Sequence, residues 1–265
     1  MRVNLKLHVA YLDMPLKEKY ARIICYPQYS LKCLKERLRE MRSLGVKALC
    51  FFGNKKIGGV PILGKGCVGI VVPAYMNVGR VALKIRRTDA DRESMRHEAE
   101  MLRIANSVNV GPRLLGFTRN ILLMEFVEGM PLVEWIEKVQ CESGSVEKAR
   151  KVLREILEQC RRLDEIGLDH GELSRAIGHI IVDYKDNPWI LDFETASVRR
   201  RVSNVTSICH FLFLNGGIVS LITKLICYGA REKLILALRR YKRSLSRRAF
   251  NEVLRKCGLI DQSIE

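Results

Sequence analysis

Hydrophobic positions follow two regimes along the chain. From residue 57 to about 127 they come as short runs rich in β-branched residues, punctuated by glycine. That pattern predicts strands at 57–63, 69–74, 80–86 and 120–125, interrupted by one helix over about 91–107. Beyond residue 127 apolar residues recur every three or four positions. This spacing predicts helices over 131–139 and 146–166, and several more after Ser203. Between them a hairpin is expected, with strands at 180–183 and 189–192 and a turn at Lys185-Asp186-Asn187-Pro188. A β-rich part followed by a helical part predicts an α+β arrangement of two lobes joined near residue 127.

The first 56 residues read differently. A strand is expected at 22–26 (RIICY), an amphipathic helix at 30–44 with Leu31, Leu34, Leu38 and Met41 on one side, and a strand at 46–51. Residues 1–56 are therefore expected as a strand–helix–strand appendage, 57–127 as a β-rich lobe and 128–265 as a helical lobe. One apolar stretch, 208–230, has the length of a membrane span. His210, Asn215, Gly216-Gly217 and Lys224 interrupt it, so a core helix, a break and a second helix are expected instead.

The nine cysteines form no C-x-x-C pair, and the N-terminus does not read as a signal peptide. Free thiols in the cytoplasm are the expectation. The net charge of +17 changes the picture further, because it attracts polyanions such as RNA or an RNA–protein particle. Much of that charge is concentrated near the end, where Arg239, Arg240, Lys242, Arg243, Arg247 and Arg248 flank an apolar helical side formed by Leu234, Leu238, Tyr241 and Leu245.

Candidate chemistry begins at residues 64–71, GKGCVGIV. Gly64, Gly66 and Gly69 alone are compatible with a dinucleotide fingerprint or a plain turn. The third glycine, however, opens the β-branched run Ile70-Val71-Val72, so the loop joins two strands rather than a strand and a helix. Such a flap presents backbone N–H groups to phosphate oxygens. Val81-Ala82-Leu83-Lys84 follows, and a lysine on the strand beneath the flap reaches phosphates if a carboxylate holds it. Glu98 lies on the inward side of the next helix, with Met101 and Leu102, and is expected to be that carboxylate. Further on come an apolar strand ending in Met124-Glu125-Phe126-Val127, then Asp169-His170-Gly171-Glu172-Leu173, then Leu191-Asp192-Phe193-Glu194.

In this order the motifs resemble the protein-kinase-like superfamily over about residues 57–212. The likeness is greatest to its small archaeal members, among them the RIO kinases and the kinase of the KEOPS tRNA-modification complex. The resemblance implies a serine/threonine kinase that binds ATP with Mg²⁺ or Mn²⁺. It implies an ATP site at Gly64, Lys65, Gly66, Cys67, Val68, Gly69, Val71, Ala82, Lys84, Met124, Glu125 and Val127. Catalytic roles fall to Lys84, Glu98, Glu172 and Asp192. Asp192 would bind the metal, Glu172 would orient the substrate hydroxyl, and His170 would support the loop from the core.

Two positions depart from the family. Glu172 replaces an aspartate, lengthening the carboxylate arm by one methylene. The metal-binding asparagine is expected five residues later, where Ile177 stands. A loop two residues longer puts His179 in that place, either as a simple loop histidine or as a ligand for a softer divalent metal. Ser174 is another oxygen donor nearby. Three readings stay open: a protein kinase, a nucleotide-binding pseudokinase or slow ATPase in an RNA–protein assembly, and a small-molecule phosphotransferase.

Overall fold

The computed structural model describes residues 8–214 and 217–261. The chain divides into two compact units, residues up to 103 with 112–126, and residues 104–111 with 127 onward. The fold is α+β, with the largest sheet in the first unit and most helices in the second.

The N-terminal unit is built on a seven-stranded antiparallel sheet. Its strands are β1 (His8–Tyr11), β2 (Ala48–Phe51), β5 (Gly64–Lys65), β6 (Gly69–Met76), β7 (Gly79–Arg86), β8 (Leu114–Phe117) and β9 (Ile121–Glu125). They run in the order β1-β2-β6-β7-β9-β8, with β5 also paired to β6. A separate hairpin joins β3 (Lys55–Ile57) to β4 (Val60–Ile62). Helices α1 (Glu18–Ile24) and α2 (Leu31–Ser43) precede β2. The core includes Ile23, Ile24, Met41, Leu49, Phe51, Val72 and Leu83. Charged side chains anchor α2 to the sheet and to α1 as well. Glu40 accepts from the Asn120 N–H at 2.9 Å and from its side-chain amide at 2.7 Å, and the buried Arg37 donates to the Ile24 carbonyl.

Residues 1–56 are thus not the strand–helix–strand appendage expected of them. The 22–26 run is the end of a helix, because Tyr20, Ala21, Ile23 and Ile24 are buried at helical spacing and packing overrides the β-branched preference of the isoleucines. Strand β2 pairs directly with β6, Leu49 opposite Ala74, so this segment completes the sheet. The single strand expected at 57–63 is a hairpin, turned by Gly58 and Gly59 with φ of +54° and +78°, as a two-residue hairpin turn demands.

In the C-terminal unit, β10 (Gly129–Pro131), β11 (Ile180–Asp183) and β12 (Pro188–Ile190) form a small antiparallel sheet. Helices α4 (Leu132–Val139), α5 (Ser145–Glu165), α6 (Asn204–Cys209), α7 (Val219–Thr223), α8 (Arg231–Ser244) and α9 (Arg247–Lys256) make the rest. The helix expected at 91–107 is α3 (Arg96–Asn106). The second hairpin strand ends at Ile190, since Asp192 has φ +69° and leaves the extended region. The basic C-terminal stretch is two helices, because Leu245 takes a left-handed φ of +50° and Ser246 caps α9 through a hydrogen bond to the Ala249 N–H. In the apolar stretch, α6 continues into a wide helical turn, His210–Leu214. Asn215 and Gly216 lie outside the described residues, and α7 follows. No helix among the described residues is long and apolar enough to cross a membrane. All nine cysteines are free.

Candidate functional site

The glycine flap lies in the N-terminal unit as a β5–β6 hairpin, with Gly64 opposite Val71 and Lys65 opposite Ile70. Its tip is the four-residue turn Gly66-Cys67-Val68-Gly69, closed by the Gly66 N–H on the Gly69 carbonyl at 2.8 Å. The three glycines are not equivalent. A Cβ on Gly69 would lie 2.9 Å from the Lys84 Cγ and 3.1 Å from the Ile85 carbonyl oxygen, so Gly69 is required for close packing against the lysine stem. A Cβ on Gly64 or Gly66 would meet nothing nearer than 3.6 Å. The protein's own packing leaves those two positions tolerant of a side chain.

Lys84 sits in the middle of β7, opposite both Val71 and Leu122. Its Nζ donates to the Glu98 Oε1 at 2.8 Å. Glu98 lies in the first turn of α3, where the helix dipole also favours a carboxylate. The two residues are 3% and 5% exposed, so this is a buried ion pair rather than a solvated surface contact.

Neighbouring groups fix the flap. The Arg87 N–H donates to the Val68 carbonyl at 2.8 Å, and its guanidinium donates to the Gly66 carbonyl at 3.0 Å. The Tyr26 ring receives Arg87 on a face 5.3 Å away and Lys65 at 4.8 Å. Val68 packs on Met95, Ala99 and Leu122, whereas Cys67 is exposed. Ala82, opposite Met124, is buried. The Glu125 N–H is taken by the Arg113 carbonyl at 2.9 Å, and Glu125 stands opposite Val81 in the β7–β9 ladder. Val127 opens the C-terminal unit and is half-buried.

The C-terminal unit holds the second group of candidates. After α5, Asp169 and Ser197 bond each other through both peptide groups, at 3.0 and 2.8 Å. The Asp169 carboxylate accepts from Arg200 at 3.0 Å and from the N–H and hydroxyl of Ser203, each at 3.0 Å. It is buried and committed to holding the loop. Glu172 differs, because its side chain is 36% exposed and its Oε2 stands 3.6 Å from the His179 Nδ1. Donor atoms of Glu172, His179 and Asp192 all lie within 4.8 Å of one another. A 3₁₀ turn, Leu173–Gly178, carries the chain from Glu172 to His179, and the Leu191 N–H on the His179 carbonyl at 2.8 Å fixes the segment leading to Asp192. Ile177 is 66% exposed within that turn.

His170 is fully buried beneath this loop. Its Nε2 meets the Leu191 carbonyl at 3.0 Å, and its ring lies 5.0 Å from that of Phe193. Burial pushes its pKa down to about 4, so the ring is neutral at pH 7 and Nε2 is the protonated donor.

Residues 78–204 match the family model of the RIO domain. That stretch is therefore similar to the RIO kinase-like family. The family generally binds ATP with Mg²⁺. The RIO span contains Lys84, Glu98, Met124, Glu172, His179 and Asp192, and starts after the glycine flap. The chain is also similar to the uncharacterized protein MJ1211 of Methanocaldococcus jannaschii. The two are 28% identical over 109 residues, 41% of this chain and 88% of that protein.

Several residues supporting this loop were not read from sequence. Asp164, near the end of α5, accepts from the Asn204 N–H at 2.9 Å, the Asn204 amide at 2.8 Å and the Tyr241 hydroxyl at 2.9 Å. Asn204 in turn donates to the Leu168 carbonyl at 2.7 Å and accepts from the His170 N–H at 2.8 Å. Burial raises the Asp164 pKa, and these hydrogen bonds oppose the rise. Gly171 belongs to the same scaffold. At φ +92° a Cβ there would lie 2.5 Å from an Arg200 nitrogen and 2.9 Å from the Thr195 hydroxyl. Polar residues more than thirty positions apart gave no local signal. Gly171 did, as a glycine inside a polar motif.

Proposed function

We propose that this chain is an ATP-dependent phosphotransferase acting on a serine or threonine hydroxyl of a protein. The observation that carries the reading is the buried Lys84–Glu98 pair, with Gly69 of the flap packed on the lysine stem. A buried ion pair is a weak source of stability, so its retention beneath a glycine loop points to phosphate binding. Gly64 and Gly66 support this, being glycines at positions where the protein's packing tolerates a side chain.

In the proposed reaction the flap and Lys84 serve the phosphates. Asp192 serves a divalent metal and Glu172 the acceptor hydroxyl. Glu172 suits that role because it is the more exposed of the two loop carboxylates, while Asp169 is spent on Arg200 and Ser203. Positioning and charge stabilisation supply the rate. We place the protein in the cytoplasm and assign its basic surface to an RNA or RNA–protein partner.

A second reading, a nucleotide-binding switch that hydrolyses ATP slowly, is favoured by one observation. Ile177, which has no metal-binding atom, occupies the expected asparagine position. Single-turnover consumption of ATP, with and without an acceptor protein, separates the two. Transfer to a protein hydroxyl supports the kinase, acceptor-independent hydrolysis supports the switch, and absence of ATP binding removes both.

A further inference from the structure

We infer that Glu172, His179 and Asp192 form one mixed carboxylate–imidazole site for a divalent transition metal, with Glu172 a ligand through Oε2. This deepens the phosphotransferase reading, which assigns Glu172 only to the acceptor. Two donors bound to one ion at about 2.1 Å stand roughly 3.0–3.4 Å apart. The Glu172 Oε2 and His179 Nδ1 are 3.6 Å apart, slightly beyond that spacing and too far for a hydrogen bond. The Nδ1 is buried and has no hydrogen-bond partner, although a carboxylate oxygen faces it. Two atoms held near coordination spacing, without bonding each other, are arranged for a third body. Asp192 brings the third donor within 4.8 Å of both.

The backbone holds this arrangement independently of any ion. The 3₁₀ turn has Glu172 and His179 at its two ends, closed by the Arg175 N–H on the Glu172 carbonyl at 2.9 Å and the His179 N–H on the Ala176 carbonyl at 3.1 Å. The His179 carbonyl accepts from Leu191, one residue before Asp192.

The donor set decides the metal class. An all-oxygen site suits Mg²⁺, whereas an imidazole donor favours first-row transition metals. Mn²⁺ accepts both donor types and is the natural probe. Oε2 would be committed to the ion, leaving Oε1 of Glu172 for the acceptor hydroxyl.

The test uses the full chain without nucleotide. Mn²⁺ and Mg²⁺ affinities are measured by calorimetry, and bound Mn²⁺ is examined by pulsed electron paramagnetic resonance for a coordinated ¹⁴N. The inference expects the nitrogen signal in the native chain and its loss in His179→Ala. It also expects His179→Ala to weaken Mn²⁺ by about tenfold or more while changing Mg²⁺ far less. Glu172→Gln should weaken both ions. His179→Asn, which restores an oxygen donor, should raise Mg²⁺ relative to Mn²⁺ and guards against a folding defect in the alanine variant. Absence of the nitrogen signal, or equal losses for both ions in His179→Ala, overturns the site. ATP binding and transfer are assayed separately, so loss of this metal assignment and loss of the phosphotransferase reading are told apart.

Discussion

Replacing Lys84 with methionine should do two things that ordinary surface mutagenesis does not. Lys84 and Glu98 are joined at 2.8 Å and are 3% and 5% exposed. Sequence alone suggests that Lys84→Ala spares the fold, as expected of a polar fitting on an accessible site. Burial reverses that expectation. Removing one member of a buried pair leaves the other charge in a poor solvent and costs about 3–5 kcal/mol. A domain of ordinary stability has only about 5–15 kcal/mol to lose. Lys84→Met should therefore shift the urea midpoint strongly downward and abolish ATP binding. The double variant Lys84→Met/Glu98→Leu removes both charges and keeps similar volume. It should recover most of the lost stability while remaining unable to bind ATP. Urea titrations of the native chain, both single variants and the double variant form a complete cycle, with a fluorescent ATP analogue as the second readout. A cost below 1 kcal/mol for Lys84→Met, or no recovery in the double variant, would refute the argument that burial governs this pair.

Other tests follow from the loop and its supports. Glu172→Gln should lower kcat more than ATP affinity and leave the urea midpoint nearly unchanged, whereas Asp169→Ala should destabilise the chain by about 2 kcal/mol or more, because Arg200 and Ser203 lose their acceptor. The reverse pattern would show that the two carboxylates have been assigned the wrong way round. His170 has a pKa near 4 in the fold against about 6.5 unfolded, so its contribution is fully present above pH 6.5, is lost as pH falls toward 4 and levels off below. The expected loss is about 3 kcal/mol, and urea midpoints of His170→Gln should lack that part of the slope. On the basic helices, Arg240 is paired with Glu252 and Arg247 with Glu158, so Arg239, Lys242, Arg243 and Arg248 are the better polyanion contacts. Changing these four to glutamine should weaken RNA binding and flatten its salt dependence without altering ATP affinity. RNA affinity that ignores salt would rule the surface out.

The elements legible in the sequence were those with strong local signatures. The β6–β7 hairpin, α2, α4 and α5 follow directly from their periodicity. The buried Glu98 follows from its place beside Met101 and Leu102 on α3. Misread elements had competing local signals. The isoleucines of α1 favour strand until Tyr20 and Ala21 are included, and the Gly58-Gly59 pair was absorbed into a strand although its turn chemistry was present. The Asp164–Asn204–Tyr241 network was invisible because each member is an ordinary polar residue whose partners lie far along the chain. His179 was ambiguous for a similar reason, since only the folded 3₁₀ turn brings its ring to Glu172.

The stretch matched by the RIO model is shorter than the sheet to which it belongs, because β2 pairs with β6 ahead of it. The RIO match begins at Val78, in the turn after β6, and so omits the strands that cover one side of β7. Starting an expression fragment there would remove Leu49, Phe51 and Val72 from the core. Starting it at residue 57 keeps β6 but strips β2 from its edge, leaving part of the apolar run GIVVPAYM without its neighbour. Such an edge recruits strands from other molecules. Strand β2 thus covers an edge of β6, and a fragment of this lobe that omits Ala48–Phe51 would expose that edge.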